Sequence, residues 1–261
     1  MKFYKYHGTG NDFIMIDNRH AQFVFNTTEA IAQLCHRRFG IGADGLILLE
    51  VSSSHDFKMV YYNSDGNEGS MCGNGGRCIV AFAQFLGIAG DKTTFEAIDG
   101  VHEASRTVTD QPLIALKMKD VHEFTKVNGS VVLDTGSPHY VTFCDDINTI
   151  DIITEGRKIR NSELYKATGI NVNFIAKNDT GFIIKTYERG VEDETYSCGT
   201  GTVAAAIALV SEGRASDALP VKFHSAGGSL EVSFIRNGNH FTNIVLTGPA
   251  TQVFEGFFEI E

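Results

Sequence analysis

Two cysteines stand in nearly the same sequence context. Cys72 opens Cys72-Gly73-Asn74-Gly75 and Cys198 opens Cys198-Gly199-Thr200-Gly201. Each leads into a run of small and apolar residues that reads as a helix, Arg77 to Leu86 and Thr202 to Val210. The first N–H groups of a helix have no partner within it, and that end of the helix dipole is positive. A thiolate placed there is stabilised, and its pKa falls below the ~8.5 of a free thiol. The same N–H groups can hold a carboxylate, and a glycine beside the sulfur lets a ligand approach the backbone. Two such loops facing each other across one amino acid would set its α-carbon between two sulfurs. One sulfur, as thiolate, would take the α-proton, and the other, as thiol, would return a proton to the opposite face. The centre inverts, and in the reverse direction the two groups exchange roles. The enolate-like charge that builds on the carboxylate would meet N–H donors where that charge is greatest.

A lone cysteine is more often a small buried apolar side chain, and Cys35, Cys78 and Cys144 are read that way. Cys72 and Cys198 differ because the elements that lead to them also repeat. Thr9-Gly10-Asn11-Asp12 is echoed by Thr135-Gly136-Ser137-Pro138, and the strand-like runs Phe13 to Ile16 and Tyr140 to Phe143 follow. Phe57 to Asn63 is echoed by Phe182 to Glu188, both rich in β-branched and aromatic residues. Asn11 precedes Cys72 by 61 positions and Ser137 precedes Cys198 by the same 61, so both ends of the pattern are offset by 126. Recurrent glycine turns alone would not reproduce one order of turn, strand, turn, Cys-Gly and helix. The pattern predicts an α/β (α+β) chain made of two pseudo-symmetric domains from an internal duplication, each with strands wrapped around a central helix. The stretch Ala204 to Val210 is apolar nearly all round, as a buried helix requires. The last run, Gln252 to Ile260, reads as a strand that returns to the first half. The expected division is 1–118 with 249–261 carrying Cys72, and 119–248 carrying Cys198.

Composition narrows the function. The 261 residues are 43% apolar and carry a formal charge of −10, which opposes non-specific binding to nucleic acid. No apolar run reaches the ~18 residues of a membrane helix, so no membrane role is expected. The start, Met1 to His7, lacks the apolar core of a signal peptide, and a cytoplasmic protein is expected. Five widely spaced cysteines without CxxC pairs fit neither a disulfide framework nor a zinc site, so no metal is expected.

Met71-Cys72-Gly73-Asn74-Gly75-Gly76-Arg77 resembles the first active-site motif of the diaminopimelate epimerases, and Tyr187-Glu188-Arg189-Gly190 through Ser197-Cys198-Gly199-Thr200-Gly201 resembles the second. Gly8-Thr9-Gly10-Asn11-Asp12-Phe13, Gly40-Ile41-Gly42-Ala43-Asp44-Gly45 and Asn171-Val172 also fit, in the right order, from about residue 3 to 249. The resemblance implies two similar α/β domains with the site in the cleft between them. It implies interconversion of LL- and meso-diaminopimelate without pyridoxal phosphate or any other cofactor, on the route to lysine and peptidoglycan. It makes Cys72 and Cys198 the catalytic bases, and Gly73, Asn74, Gly199 and Thr200 the helix-start donors to the reacting carboxylate. Asn11, Asn63, Asn171, Glu188 and Arg189 become substrate contacts, and His139 and Glu188 become groups that tune the cysteines. A homodimer rests on family analogy alone. Such contacts make chemical sense, because only one end of diaminopimelate reacts and the other must be recognised. Arg189 can grip a carboxylate through paired N–H bonds, Glu188 can accept from an ammonium group, and the asparagines can donate and accept without a charge to desolvate.

The chain departs from that pattern at three places. Ser137 stands where the family usually has an asparagine, which implies a shorter or water-mediated contact. Gly45 stands where some members carry glutamine. The loop Gly190-Val191-Glu192-Asp193-Glu194-Thr195 is one residue longer than Gly-x-Gly-Glu-Thr and lacks its second glycine. The nearest alternative is a proline or hydroxyproline racemase-type two-cysteine enzyme, whose first motif typically has histidine at the place of Asn74 and which lacks the Glu-Arg-Gly stretch. A phenazine-type isomerase shares the fold without the thiol pair. A non-enzymatic thiol redox module, in which Cys72 and Cys198 form a reversible disulfide, is the third reading.

Overall fold

In the computed structural model, residues 1–23, 27–109, 112–216 and 220–259 are described. The chain divides into two compact units, Met1–Leu116 with Gly248–Glu261 and Lys117–Thr247. The first unit begins with β1 (Lys2–Gly8), β2 (Asn11–Asp17), α1 (Thr28–Cys35), β3 (Gly45–Glu50) and β4 (Phe57–Asn63). It continues with α2 (Gly73–Phe85), β5 (Lys92–Ala97), β6 (Gly100–Arg106) and β7 (Ile114–Lys117). The second holds β8 (Phe124–Val127), β9 (Ser130–Asp134), β10 (Pro138–Phe143), α3 (Ile152–Arg160), β11 (Asn171–Asn178) and β12 (Gly181–Glu188). Then come β13 (Asp193–Thr195), α4 (Gly199–Ser211), β14 (Val221–Ser225), β15 (Gly228–Asn237) and β16 (His240–Gly248), before β17 (Thr251–Phe257) rejoins the first unit.

The repeat read from residue spacing is a repeat of topology. In the first unit β1 and β2 are antiparallel, and β2 and β3 are parallel across α1. Next, β3 and β4 are antiparallel, β4 and β5 are parallel across α2, and β5 to β7 form an antiparallel meander. The second unit runs β9, β10, α3, β11, β12, α4, β14, β15 and β16 through the same sequence of antiparallel and parallel steps. Its extra leading strand β8 pairs antiparallel with β9, and the last strand β17 does the same for β1. The run ending at Ile260 is therefore a strand only to Phe257, with residues 260–261 outside the described part.

Each unit packs its strands on its long helix. α2 lies on β1, β2 and β3, and α4 on β9, β10, β11, β12 and β15. Every residue of α4 from Gly201 to Val210 is buried, as its unbroken apolar composition requires. Burying such Val, Leu, Ile and Phe side chains is worth about 1.5–3 kcal/mol each. Phe57, Phe82 and Phe95 are fully buried in the first unit, and Phe57 stacks on Phe95 with ring centroids 5.1 Å apart.

Both long helices begin earlier than their apolar runs. Read from composition they start at Arg77 and Thr202, whereas they start at Gly73 and Gly199. Glycine is a poor helix former, which is why the apolar pattern marks a later start. Here it is needed for space: a Cβ on Gly75 would lie 3.2 Å from Cys72 Sγ, and one on Gly201 would lie 2.4 Å from Asn173 Oδ1. Among the described residues, no helix is long and apolar enough to cross a membrane.

Candidate active site

Cys72 and Cys198 are the N-cap residues of α2 and α4. Each holds an extended backbone, and each sulfur accepts the N–H of the residue three positions on: Gly75 N–H to Cys72 Sγ at 3.2 Å, Gly201 N–H to Cys198 Sγ at 3.4 Å. Sulfur here takes the place of the usual Ser, Thr or Asp cap oxygen. Both cysteines are half-buried. Cys35 and Cys78 are buried, burial drives both thiols up, and Cys35 is pushed to about 12. Cys144 is only half-buried, and its Sγ donates to Ile175 O at 3.4 Å.

Around Cys72 the polar side chains form one continuous chain of hydrogen bonds. Asn11, at the start of β2, donates from Nδ2 to Asp44 Oδ2 at 2.8 Å. Asn74, in the first turn of α2, donates from Nδ2 to Asn11 Oδ1 at 3.2 Å. Arg77 Nη2 donates to Asn74 Oδ1 at 2.9 Å. A guanidinium can only donate and an ionised carboxylate can only accept, so the two ends fix which way both amides point. Arg77 is fully buried and spends its other donors on Gly73 O at 3.1 Å, Thr9 Oγ1 at 3.3 Å and Pro249 O at 3.3 Å. Gly8 makes room for it, since a Cβ there would lie 2.9 Å from Asn74 O and 3.2 Å from Arg77 Nη2.

Asp44 and Asp12 share Arg37, whose Nη2 lies 2.6 Å from Asp44 Oδ1 and 2.7 Å from Asp12 Oδ1. Buried Lys5 reaches Asp12 Oδ2 at 2.7 Å and also donates to Gly42 O. Burial alone would raise the Asp12 carboxyl, but the bonds from Arg37 and Lys5 outweigh it and hold the group well below the usual carboxylate range. Asn63 lies at the exposed end of β4, where it accepts from Tyr61 Oη at 2.9 Å and donates to Asn67 O at 3.4 Å.

Around Cys198 the supporting groups are different. His139 is fully buried; its Nδ1 lies 3.1 Å from Asn173 Nδ2 and its Nε2 lies 3.0 Å from both Thr200 Oγ1 and Ser137 Oγ. Asn173 Oδ1 accepts from Thr186 Oγ1 at 2.9 Å, so its amino group faces the ring, Nδ1 is the acceptor, and the proton sits on Nε2. Burial first, and the charge of Arg189 second, push the imidazole down to about 3, so it is neutral. Thr200 Oγ1 in turn lies 3.5 Å from Cys198 Sγ. Ser137 is a hub rather than a gap: its hydroxyl also accepts from Asn171 Nδ2 at 3.2 Å. Buried Asn171 accepts the Arg189 N–H at 2.9 Å, and Arg189 Nη1 donates to Thr168 O at 3.0 Å.

The two remaining sequence departures have structural answers. A Cβ on Gly45 would lie 2.5 Å from Tyr62 O, so the close β3–β4 pairing here excludes a side chain. In the long loop Glu192 takes the left-handed φ of 60° that the missing glycine would have supplied. Glu192 is held there by Arg160 Nε at 3.0 Å, Tyr187 Oη at 3.0 Å and the Gly190 N–H at 3.2 Å. The chain then returns as β13 beside β12, and Thr195 Oγ1 donates to Glu188 Oε2 at 2.9 Å.

Asp44, Arg77 and Asn173 carry no role in the motif reading, yet they orient Asn11, Asn74 and His139. The signal for Arg77 was present: a cation inside a glycine run at the start of a buried helix must find backbone and amide acceptors. Among the described residues, no three His, Cys, Asp or Glu side chains group as metal ligands.

A family model described as Diaminopimelate epimerase matches residues 3–122 and 131–253. The chain is 56% identical over 256 residues to the diaminopimelate epimerase of Flavobacterium psychrophilum, covering 98% of this chain and 99% of that one. It is 43% identical to that of Chlorobaculum tepidum, covering 95% and 98%. In fold it is similar to a phenazine biosynthesis protein of Bacillus anthracis, with a TM-score of 0.76 at 13% identity and coverage of 100% and 99%. It is also similar in fold to a hydroxyproline epimerase of Agrobacterium vitis, with a TM-score of 0.70 at 15% identity and coverage of 98% and 91%. Matched along both repeats and at such identities, the chain belongs to the diaminopimelate epimerase family of isomerases.

Proposed function

We propose that this chain interconverts LL- and meso-diaminopimelate by a cofactor-independent two-base reaction at Cys72 and Cys198. The observation that carries the reading is the matched pair of sulfur-capped helix starts, one in each repeat, each sulfur accepting an N–H from the first turn. The thiolate of one cysteine removes the α-proton, and the thiol of the other delivers a proton to the opposite face. The N–H groups of Gly73, Asn74, Gly199 and Thr200 receive the carboxylate as it gains enolate character, where pre-aligned donors lower the barrier most. The reaction requires both sulfurs to reach one carbon of one substrate molecule.

Asn11, Asn63, Asn171, Glu188 and Arg189 bind the substrate's remaining polar groups. Arg189 suits a carboxylate and Glu188 an ammonium group. His139, neutral and protonated on Nε2, donates to Thr200 Oγ1 and so turns that hydroxyl toward Cys198 Sγ. Glu188 tunes the same end of the site. On this reading the protein works in the cytoplasm on a small soluble metabolite, and a homodimer follows from family analogy alone.

The test is incubation with LL-diaminopimelate, meso-diaminopimelate and proline in deuterated water, with α-deuterium read by mass spectrometry. Exchange into both diaminopimelate isomers and not into proline is expected. Exchange into proline alone would transfer the assignment to a proline racemase-type reaction.

A further inference from the structure

The two long helices end alike in backbone and differently in side chain. α4 closes with Gly213 N–H to Val210 O at 3.2 Å and Arg214 N–H to Leu209 O at 2.8 Å, and Gly213 takes a left-handed φ of 66°. α2 closes with Gly87 N–H to Gln84 O at 3.0 Å and Ile88 N–H to Ala83 O at 2.9 Å, and Gly87 has φ 71°. This ending is often accompanied by an apolar contact from the residue after the glycine. In the first unit that residue is Ile88, and its counterpart 126 positions on is Arg214. Isoleucine meets the needs of the fold in one repeat, so the arginine in the other calls for a reason beyond folding.

Arg214 borders a cavity of about 330 Å³, within the size range of small-molecule sites. Buried Ile175 and Leu209 and the half-buried rings of Phe143 and Phe182 supply its apolar lining. Strand register sets Phe143 beside Ile175 and Lys177 beside Phe182, and the two-residue period of β11 puts all four on one face of the sheet. The polar lining is Lys177, Arg214, Asp145 and the thiol of Cys144. Two cations against one carboxylate leave this lining net positive in a chain of formal charge −10. Arg214 sits over the Phe143 ring, with Cζ 4.5 Å from the centroid, which steadies the planar group. Among the described residues no hydrogen bond or ion pair engages its N–H donors or the Lys177 ammonium.

The cavity lies away from the cysteine. Cys198 caps the start of α4, and Leu209 lies eleven positions further, about 16 Å along the helix axis. His139 and Asn171 stand near the starts of β10 and β11, whereas Phe143 and Lys177 stand at or near their ends.

We propose that this cavity is a second ligand site, which takes a small monocarboxylate with a flat apolar body. Arg214 and Lys177 receive the carboxylate, since paired N–H donors match its two oxygens. Phe143, Phe182, Ile175 and Leu209 receive the body, and aromatic rings pack well on a ring. The proposal does not depend on the two-base reading, because binding is measured without substrate.

The test uses 3-phenylpropionate and its neutral amide, 3-phenylpropionamide, titrated into the substrate-free chain by calorimetry. Cys144 supplies a local reporter. Burial, and then the carboxylates of Asp145 and Asp146, raise its thiol, so it is alkylated slowly by N-ethylmaleimide at about pH 8.5. Peptide mass spectrometry follows Cys144, Cys72 and Cys198 in the same digest. The acid is expected to saturate with a Kd below about 1 mM, and the amide to bind at least about tenfold more weakly. At ten times its Kd the acid should slow Cys144 alkylation roughly tenfold. Arg214→Ile should weaken binding of the acid at least about tenfold. No saturation by about 10 mM, equal binding of acid and amide, or unchanged binding in an Arg214→Ile protein of native circular dichroism would overturn the proposal. So would an unprotected Cys144, and protection of Cys72 and Cys198 alone would place the acid at the cysteines instead. Should Arg214→Ile fail to fold, the wild-type protection pattern and the acid-against-amide comparison decide the matter.

Discussion

Asn11 Nδ2 donates to Asp44 Oδ2 at 2.8 Å, and Asn11 Oδ1 accepts from Asn74 Nδ2 at 3.2 Å. The carboxylate therefore fixes which way the Asn11 amide points. Removing it should let the amide turn. Asp44→Ala is expected to lower kcat/KM about tenfold, mainly through KM, as loss of a charge-assisted hydrogen bond of about 1.5 kcal/mol implies. Arg37→Ala, which breaks the exposed ion pairs and leaves the Asn11–Asp44 bond, should change kcat/KM by less than about threefold. Steady-state kinetics on the two variants separates positioning from simple charge loss; equal effects would assign Asp44 no positioning role.

Gly201, at a helix start, guards space that the loop glycine Gly90 does not. A Cβ on Gly201 would lie 2.4 Å from Asn173 Oδ1 and 3.3 Å from Cys198 Sγ, whereas one on Gly90 meets nothing within 4 Å. Gly201→Ala should cost about 1–3 kcal/mol of stability and more than about tenfold in turnover. Gly90→Ala should change stability by less than about 0.5 kcal/mol. Thermal unfolding and turnover of the pair measure both.

His139 links the site to stability in acid. Burial holds its folded pKa at about 3, against an ordinary value of 6.5. The unfolded chain takes up a proton between those values and the folded chain does not. This contribution is present above pH 6.5 and is lost as pH falls from 6.5 toward 3, by about 2 kcal/mol at pH 5. Urea midpoints of the wild type and of His139→Gln, measured between pH 7.5 and about 4.5, should converge as pH falls. Parallel curves would mean that the imidazole titrates normally.

Much of this was legible in the chain because it depends on local spacing. The offset of 126 between Asn11-to-Cys72 and Ser137-to-Cys198 corresponds to one topology drawn twice, and the all-apolar run from Ala204 marks a helix buried on every side. The helix starts were harder to place, since Gly73 to Gly76 carry no helical pattern, and at Gly75 and Gly76 the reason is the room a Cβ would take from Cys72 Sγ and Met71 Sδ. Asp44 and Asn173 act on Asn11 and His139, 33 and 34 residues away in sequence, and Arg77 reaches Thr9 and Pro249, 68 and 172 residues away, and such pairings leave no periodic trace. Glu192 illustrates a backbone demand met against residue preference: its left-handed φ is stabilised by Arg160, Tyr187 and the Gly190 N–H.

Each cysteine should be needed for inversion and neither for folding. Cys72→Ser and Cys198→Ser keep an N-capping atom, so their thermal midpoints should stay within a few degrees of the wild type. Each should lose at least about 10²-fold in epimerisation, with slow one-sided α-proton exchange remaining. Full turnover in either variant would remove that residue from the chemistry, and loss of folding would show a structural role.

Solvent-isotope labelling of the first turnovers tests the two-base reaction most directly. LL-diaminopimelate is offered in deuterated water, and the early product and the remaining substrate are separated and weighed. The proposed exchange between opposed thiols predicts one solvent deuteron on the inverted carbon of nearly every early product molecule, with the remaining substrate labelled more slowly, and no product once both Cys72 and Cys198 are alkylated. Product that forms without solvent deuterium, or that continues to form after both thiols are blocked, would contradict it.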